Sequence, residues 1–164
     1  AGLGDGPAWR WYRRNLGQVL RRLHAPDRWT LLPAVEQGPQ KLDGWPGPTM
    51  IQPRWHLGRK MIAGLNAFAP GPVVLVGSDI LGLDQAVVYQ MVAALQRPGL
   101  VFGPADDGGF WGIGLRGQSL PITLFDQVTW SSDTTLAQSM AACGAKAKAL
   151  DLVLSDVDTV EDLP

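Results

Sequence analysis

Val73-Val74-Leu75-Val76-Gly77-Ser78-Asp79 is a short apolar run that stops abruptly in a glycine, a hydroxyl and a carboxylate. A branched-aliphatic run of this kind predicts a strand buried on both faces of a sheet. In open α/β sheets, ligands bind beyond the carboxyl ends of the strands, which puts Asp79 where a metal ion or a sugar hydroxyl would be met. The competing reading is structural: Asp and Ser are favoured at strand ends, where Asp79 would cap the next turn. Further along, Leu100-Val101-Phe102 repeats the design and runs into Gly103-Pro104-Ala105-Asp106-Asp107-Gly108-Gly109-Phe110. Two carboxylates before Gly108-Gly109 make a loop where backbone can approach a ligand closely. The alternative there is a hairpin turn joining Phe102 to Phe110. Two buried strands that both finish in acidic, Gly-rich loops predict one acidic site built from both.

Around these runs, apolar periodicity lays out alternating elements. Helical spacing predicts helices over Ala8 to His24, Leu57 to Phe68, from the Asp84 cap through Leu95, and Ser131 to Cys143. Strands are expected over Arg28 to Val35, Thr49 to Gln52, Val73 to Gly77, Leu100 to Gly103, Phe110 to Leu115 and Lys146 to Leu154. Glu36 to Pro48 reads as a long turn region, and Thr159 to Leu163 as a final turn. Alternation of this kind predicts an α/β, three-layer sandwich with a mostly parallel central sheet. At 164 residues, with no internal repeat or linker, one domain spanning 1–164 is expected.

Composition narrows the chemistry. Hydrophobic residues make up 46% and charged residues 18%, as in a folded globular chain. The formal net charge of -1 supplies no global pull toward nucleic acid or anionic membrane. Arg10, Arg13, Arg14, Arg21 and Arg22 with Trp9, Trp11 and Tyr12 offer a nucleic-acid or anionic-surface reading, but a solvated helix face explains them better at that total charge. The lone Cys143 excludes an internal disulfide and fits a reducing compartment, so the expected location is cytoplasmic; no membrane partner is expected either. With only His24 and His56, a His/Cys zinc site is nearly ruled out, and any metal would be a hard, oxygen-bound one such as Mg2+ or Mn2+. A third acidic element, Ser155-Asp156-Val157-Asp158-Thr159-Val160-Glu161-Asp162-Leu163, gives Thr159, Glu161 and Asp162 a helix-start role and leaves Asp156 and Asp158 free for a cleft.

Taken in order, Val73 to Asp79, Gly103 to Leu115, Val128-Thr129-Trp130-Ser131-Ser132 and Asp156 to Leu163, with the helix start His56-Leu57-Gly58-Arg59-Lys60-Met61, resemble the selenodomain-associated transferase family of GT-A-like proteins. The similarity runs from about residue 8 onward. It implies a nucleotide-diphospho-sugar transferase fold and a glycosyltransferase-like or nucleotidyltransferase-like activity on a nucleotide or nucleotide-sugar donor. Carried over by position, Asp79 would be the metal-binding carboxylate and Asp158 the second metal contact, with Asp156 its alternative. Asp106 and Asp107 would lie in the acceptor-side loop, one of them as general base. Gly77, Ser78, Gly108 and Gly109 would meet substrate, and Trp130 and Ser131 would border the acceptor pocket.

Two departures accompany the resemblance. Family members usually begin with an extra strand and a basic Lys-x-Arg-Leu loop for the nucleotide phosphates, and this sequence starts just after where that loop should end. The expectation is therefore an N-terminally truncated sheet with two edges facing a gap: either the sheet closes over it, or another chain fills it, as in a homodimer, or the sequence is a fragment of a longer protein. Phosphate binding would then fall to Arg10, Arg13 or Arg14. His56 also replaces an acidic residue, and Ile80-Leu81 a Cys-Pro-like pair. The alternative to an active transferase is a catalytically degenerate binding or assembly module that keeps the fold.

Overall fold

The computed structural model describes residues 15–35 and 45–155. The first half of the Ala8 to His24 helix, most of the 36–48 turn region and the acidic element from Asp156 onward lie outside the described residues. Helix α1 covers residues 15–23 within them. Two short strands, β1 (Ala34–Val35) and β2 (Met50–Ile51), pair in parallel. Helix α2 (Leu57–Asn66) leads into β3 (Val73–Val76), and α3 (Gln85–Ala94) leads into β4 (Gly99–Pro104). Then come β5 (Phe110–Arg116), α4 (Thr135–Cys143), a 3-10 turn and β6 (Ala147–Ala149).

Strands β3 to β6 form a mixed sheet in the order β3-β5-β4-β6. Here the expectation of a mostly parallel sheet is corrected: β5 is antiparallel to both neighbours, and only β4 and β6 run parallel within this sheet. The reason is chain length. A parallel connection needs a crossover of a dozen or more residues, whereas Pro104 and Phe110 are joined by a tight turn. β5 thus returns along β4 and takes β3 on its far side. Among the described residues, β3 has no other strand partner in its sheet.

Alternation along the strands sends side chains into two separate cores. Val73, Leu75, Leu100, Phe102, Ile113 and Leu115 meet Ile62 and Leu65 of α2 and Leu136 and Met140 of α4. Val74, Val76, Val101 and Trp111 meet Val19 and Leu23 of α1 and Val87, Val88, Met91 and Leu95 of α3. β3 is therefore apolar on both faces because both faces are covered, as its sequence predicts. Trp111 reaches the α1–α3 side through an irregularity in pairing: Gly103 faces Gly112 while Pro104 faces Phe110, leaving Trp111 as the extra residue. Its indole donates to the carbonyl of Leu152, in the chain after β6, at 3.4 Å.

Several element limits shift for local reasons. The Arg28 to Val35 strand contracts to Ala34–Val35, because backbone amides of Arg28 and Trp29 turn back onto the Ala25 carbonyl. The Lys146 to Leu154 strand contracts to three paired residues, and Leu154 rejoins β4 through one bridge to Ala105. The helix expected from Ser131 begins at Thr135, after a turn in which Ser131 is left-handed with φ 54°. Asp84 does cap α3, accepting the Val87 amide at 2.9 Å.

Candidate functional site

At the carboxyl end of β3, Gly77 donates its last ladder bond to the Trp111 carbonyl at 2.9 Å, and the chain leaves the sheet. Two contacts fix the segment that follows. The Asn15 side-chain amide of α1 donates to the Ser78 carbonyl at 2.8 Å, and the Leu81 amide donates to the Ser155 carbonyl at 2.8 Å. Between them, Ile80 is buried as an anchor and Asp79 is half-buried. The Asp79 carboxylate folds back over Gly77, where any Cβ would stand 2.8 Å from Oδ1. It accepts no hydrogen bond and forms no ion pair with the described residues. Among the described residues, therefore, no donor competes with a ligand for this half-buried carboxylate.

The acidic turn is a hairpin and a carboxylate loop at once. The Ala105 amide donates to the Gly109 carbonyl at 3.1 Å, and the Gly108 amide donates to the Ala105 carbonyl at 3.3 Å. Asp107 stabilises the reversal itself: its Oδ1 accepts the Gly109 amide at 2.7 Å, an Asx turn. Asp106 Oδ2 accepts the Ser155 hydroxyl, and its amide donates to the Leu154 carbonyl at 3.2 Å. Both carboxylates are solvent-exposed. Ser155 thereby touches the Asp106 side chain and the Leu81 backbone together, tying the loop after β3 to the turn after β4.

Gly108 fixes the turn to the α4 approach. Its φ is +86°, and a Cβ there would stand 2.2 Å from the Asp133 carbonyl oxygen and 2.5 Å from its Cα. Its own carbonyl accepts the Leu136 amide at 2.9 Å. The Trp130–Asp133 segment is thus pressed against Gly108-Gly109. Within it, the buried Thr135 hydroxyl lies 2.9 Å from the Thr129 carbonyl and accepts the Ser132 amide at 3.2 Å, which holds exposed Ser131 in its left-handed conformation.

Trp130 turns to the other side of this junction. Its indole meets Phe110 edge-on at 6.3 Å and Phe125 at 6.2 Å. It also lies over Gly58 in the first turn of α2, where a Cβ would stand 2.9 Å from the indole and 2.8 Å from Phe125 Cβ. The cleft so formed has a volume of about 480 Å³, with His56, Arg59, Asp126 and Gln127 at its polar wall. Arg59 grips Asp126 with two parallel hydrogen bonds, Nε to Oδ1 at 2.8 Å and Nη2 to Oδ2. That hydrogen bonding and the charges of the pair hold the Arg59 guanidinium above its ordinary value; hydrogen bonding to Arg59 holds the Asp126 carboxyl below its own. Asn66, the last residue of α2, binds Leu120 just beyond the end of β5. The first residues of α2 therefore lie toward the other end of the sheet, where Trp130 links Gly58 to Phe110 just after the acidic turn.

The structure thus brings Gly77, Ser78 and Asp79 together with Asp106, Asp107, Gly108 and Gly109, and places Trp130 and Ser131 on the neighbouring segment. Asp158 and Asp156 lie outside the described residues. Sequence reasoning assigns no role to Asn15, Asp126, Arg59 or Gly58, the last two appearing only within a resemblance, and it considers His56 only as a zinc ligand and as a departure from that resemblance. The available signal was Gly58 itself, a glycine in the first turn of a helix, which marks close packing. Nothing local marks Asp126, whose partner lies far away in sequence. Among the described residues no group of three or more His, Cys, Asp or Glu side chains converges. None of their helices is long and apolar enough to cross a membrane.

This architecture, a mixed α/β sheet with acidic loops at the carboxyl ends of β3 and β4, is that of a glycosyltransferase-like fold. It is similar to the crystal structure of a protein from Desulfovibrio desulfuricans G20 named a "putative nucleotide-diphospho-sugar transferase", with a TM-score of 0.70 and 29% sequence identity over 96% of this chain and 73% of that one. Residues 17–132 match the family described as "Uncharacterized protein conserved in bacteria (DUF2064)", and the chain belongs to that family. No curated protein matches it.

Proposed function

We propose that this chain is a transferase that moves a glycosyl or nucleotidyl group from a nucleotide-activated donor to an acceptor hydroxyl, within a single layered GT-A-like domain. The observation that carries the reading is the junction at Ser155, which joins the loop bearing Asp79 to the turn bearing Asp106 and Asp107. Asp79, half-buried and without a hydrogen-bond donor among the described residues, is the group suited to a hard divalent ion. An all-protein cage does not fit the described residues, which lack a three-ligand cluster. A Mg2+ or Mn2+ ion carried by a diphosphate does fit, since such ions use one or two carboxylates and fill the rest with phosphate and water. Asp79, with Asp158 as second contact, would hold that ion, which neutralises the leaving diphosphate.

On the acceptor side, Asp107 Oδ1 is occupied by the Gly109 amide and Asp106 Oδ2 by Ser155. Asp107 Oδ2 and Asp106 Oδ1 are then the oxygens that orient or deprotonate an incoming hydroxyl. The same two hydrogen bonds favour a second reading, in which both carboxylates only build the turn and the chain is a non-catalytic binding module.

A thermal-shift screen of nucleotides and nucleotide-sugars, with and without Mn2+, separates the two. A ligand at about 100 times its Kd adds about 2.7 kcal/mol. At this chain length that raises Tm by about 5–10 °C. The transferase reading expects a Mn2+-dependent rise that Asp79→Ala abolishes. If no nucleotide produces one, the donor site is absent and the binding-module reading replaces it.

A further inference from the structure

The cleft at the start of α2 has a donor and acceptor pattern that the proposed donor chemistry does not use. Its accessible aromatic surface is Trp130, backed by the buried Phe125, and its wall carries Asp126, Arg59, His56 and Gln127. The ion pair decides what can bind. Arg59 is already paired with Asp126, which weakens its pull on a phosphate and leaves the His56 imidazole as the other basic group of the lining, and Asp126 is already held by a guanidinium, which disfavours a cation. A purely apolar ligand would strand the pair without water. What remains exposed is a row of alternating donors and acceptors. Each Asp126 oxygen has a second lone pair, Arg59 Nη1 donates to none of the described residues, and neither does Trp130 Nε1.

A sugar hydroxyl both donates and accepts, so two neighbouring hydroxyls can each give a proton to Asp126 and take one from Arg59. The C–H face of the ring is apolar and matches an indole. A cleft of about 480 Å³ lies within the range of small-molecule sites. Its position adds a second, independent argument. Phe110, which packs on Trp130, directly follows the acidic turn, and Ser131 beside Trp130 is held left-handed, a strained conformation of the kind that collects at binding sites.

We infer that this cleft is a carbohydrate subsite, in which a sugar ring lies against Trp130 while the Asp126–Arg59 pair holds two adjacent hydroxyls. The inference rests on the transferase reading and specifies its acceptor as a neutral glycoside.

The test is saturation-transfer NMR on the full chain without nucleotide or metal, with the methyl glycosides of glucose, galactose and mannose as probes. Ring protons of at least one glycoside receive saturation from the protein. Asp126→Asn and Arg59→Lys, both at exposed or half-exposed positions and checked for folding by amide spectra, weaken that binding about tenfold, the cost of one charge-assisted hydrogen bond. Trp130→Phe, which keeps ring packing against Phe110 and Phe125, weakens it as well. Three results overturn the subsite: no glycoside is saturated, the folded Asp126→Asn and Arg59→Lys proteins bind as the wild type does, or an unphosphorylated nucleoside displaces the glycoside. The last would make the cleft the seat of the donor's base. A nucleotide shift at Asp79 with no glycoside binding refutes the subsite alone. Glycoside binding with no nucleotide shift refutes the transferase reading alone.

Discussion

Replacing Gly108 with alanine tests how the acidic turn is held. Gly108 sits at φ +86°, and an added Cβ would lie 2.2, 2.5 and 2.6 Å from three backbone atoms of Asp133. Backbone cannot swing aside as a side-chain tip does, so the Asp133 segment must move. Gly82 supplies the control: its φ is similar, +73°, but the nearest atom to its Cβ would be Leu154 Cδ2 at 3.9 Å. Gly82→Ala therefore reports the left-handed conformation alone, about 1–2 kcal/mol. Gly108→Ala adds the Leu136–Gly108 hydrogen bond, about 1 kcal/mol, and the strain of overpacking, about 1–3 kcal/mol. The expected totals are about 1–2 kcal/mol against about 3–6 kcal/mol. Urea unfolding at equal m-value resolves this, since the midpoint concentration then reports stability directly. If Gly108→Ala lies within about 0.5 kcal/mol of Gly82→Ala, the turn is not braced by Asp133, and the placement of Ser131 beside the carboxylates loses its support.

Two further outcomes follow from titrating groups. Asp126 has its folded-state value held below the ordinary 3.8 by Arg59, so its contribution to stability is complete above that value and is lost as pH falls through the lower one. Thermal melts between about pH 5 and 2 should therefore show wild type losing more stability on acidification than Asp126→Asn, and equal losses would refute the pairing. Burial pushes the Cys143 thiol up to about 11. At pH 8 the native protein should then react with a disulfide reagent about a hundredfold more slowly than the urea-unfolded chain, and equal rates would show an exposed thiol.

The elements that could be read from sequence are those whose signal is local. The β3 run ends at the expected residue but one, because two-sided burial demands an unbroken apolar string and Gly77 breaks it. Asp84 announces the start of α3, and Gly144 the end of α4. What failed was direction. Strand–helix alternation suggested a mostly parallel sheet, yet the short stretch between β4 and β5 holds no helix, and its length alone excludes a parallel crossover. Asp107-Gly108-Gly109 was read both as a ligand loop and as a hairpin, and the hydrogen bonds show the hairpin without removing the carboxylates from the surface. The far end of the β6 run departs from its sequence reading because the alternation continues after pairing stops at Ala149. The Arg59–Asp126 pair had no chance of being read, since nothing in either local pattern points to the other.

The misjudged direction and the candidate site have the same origin. Because β5 runs antiparallel, it begins at the end of the sheet where β3 and β4 finish, which places Phe110 beside the carboxylates rather than at the opposite rim. Phe110 in turn seats Trp130, and Trp130 closes onto Gly58 of α2, whose first turn lies at that same end. A helical crossover between β4 and β5 would have made β5 parallel and sent its first residue to the far side. The acidic turn would then have lost its aromatic neighbour, and α2 would have had nothing to close against. Reversing one strand thus sets an aromatic cleft at the same end of the sheet as a pair of carboxylates. A chain with the same acidic motifs in a fully parallel sheet would keep the carboxylates but lose this aromatic wall, and with it the acceptor subsite that we propose.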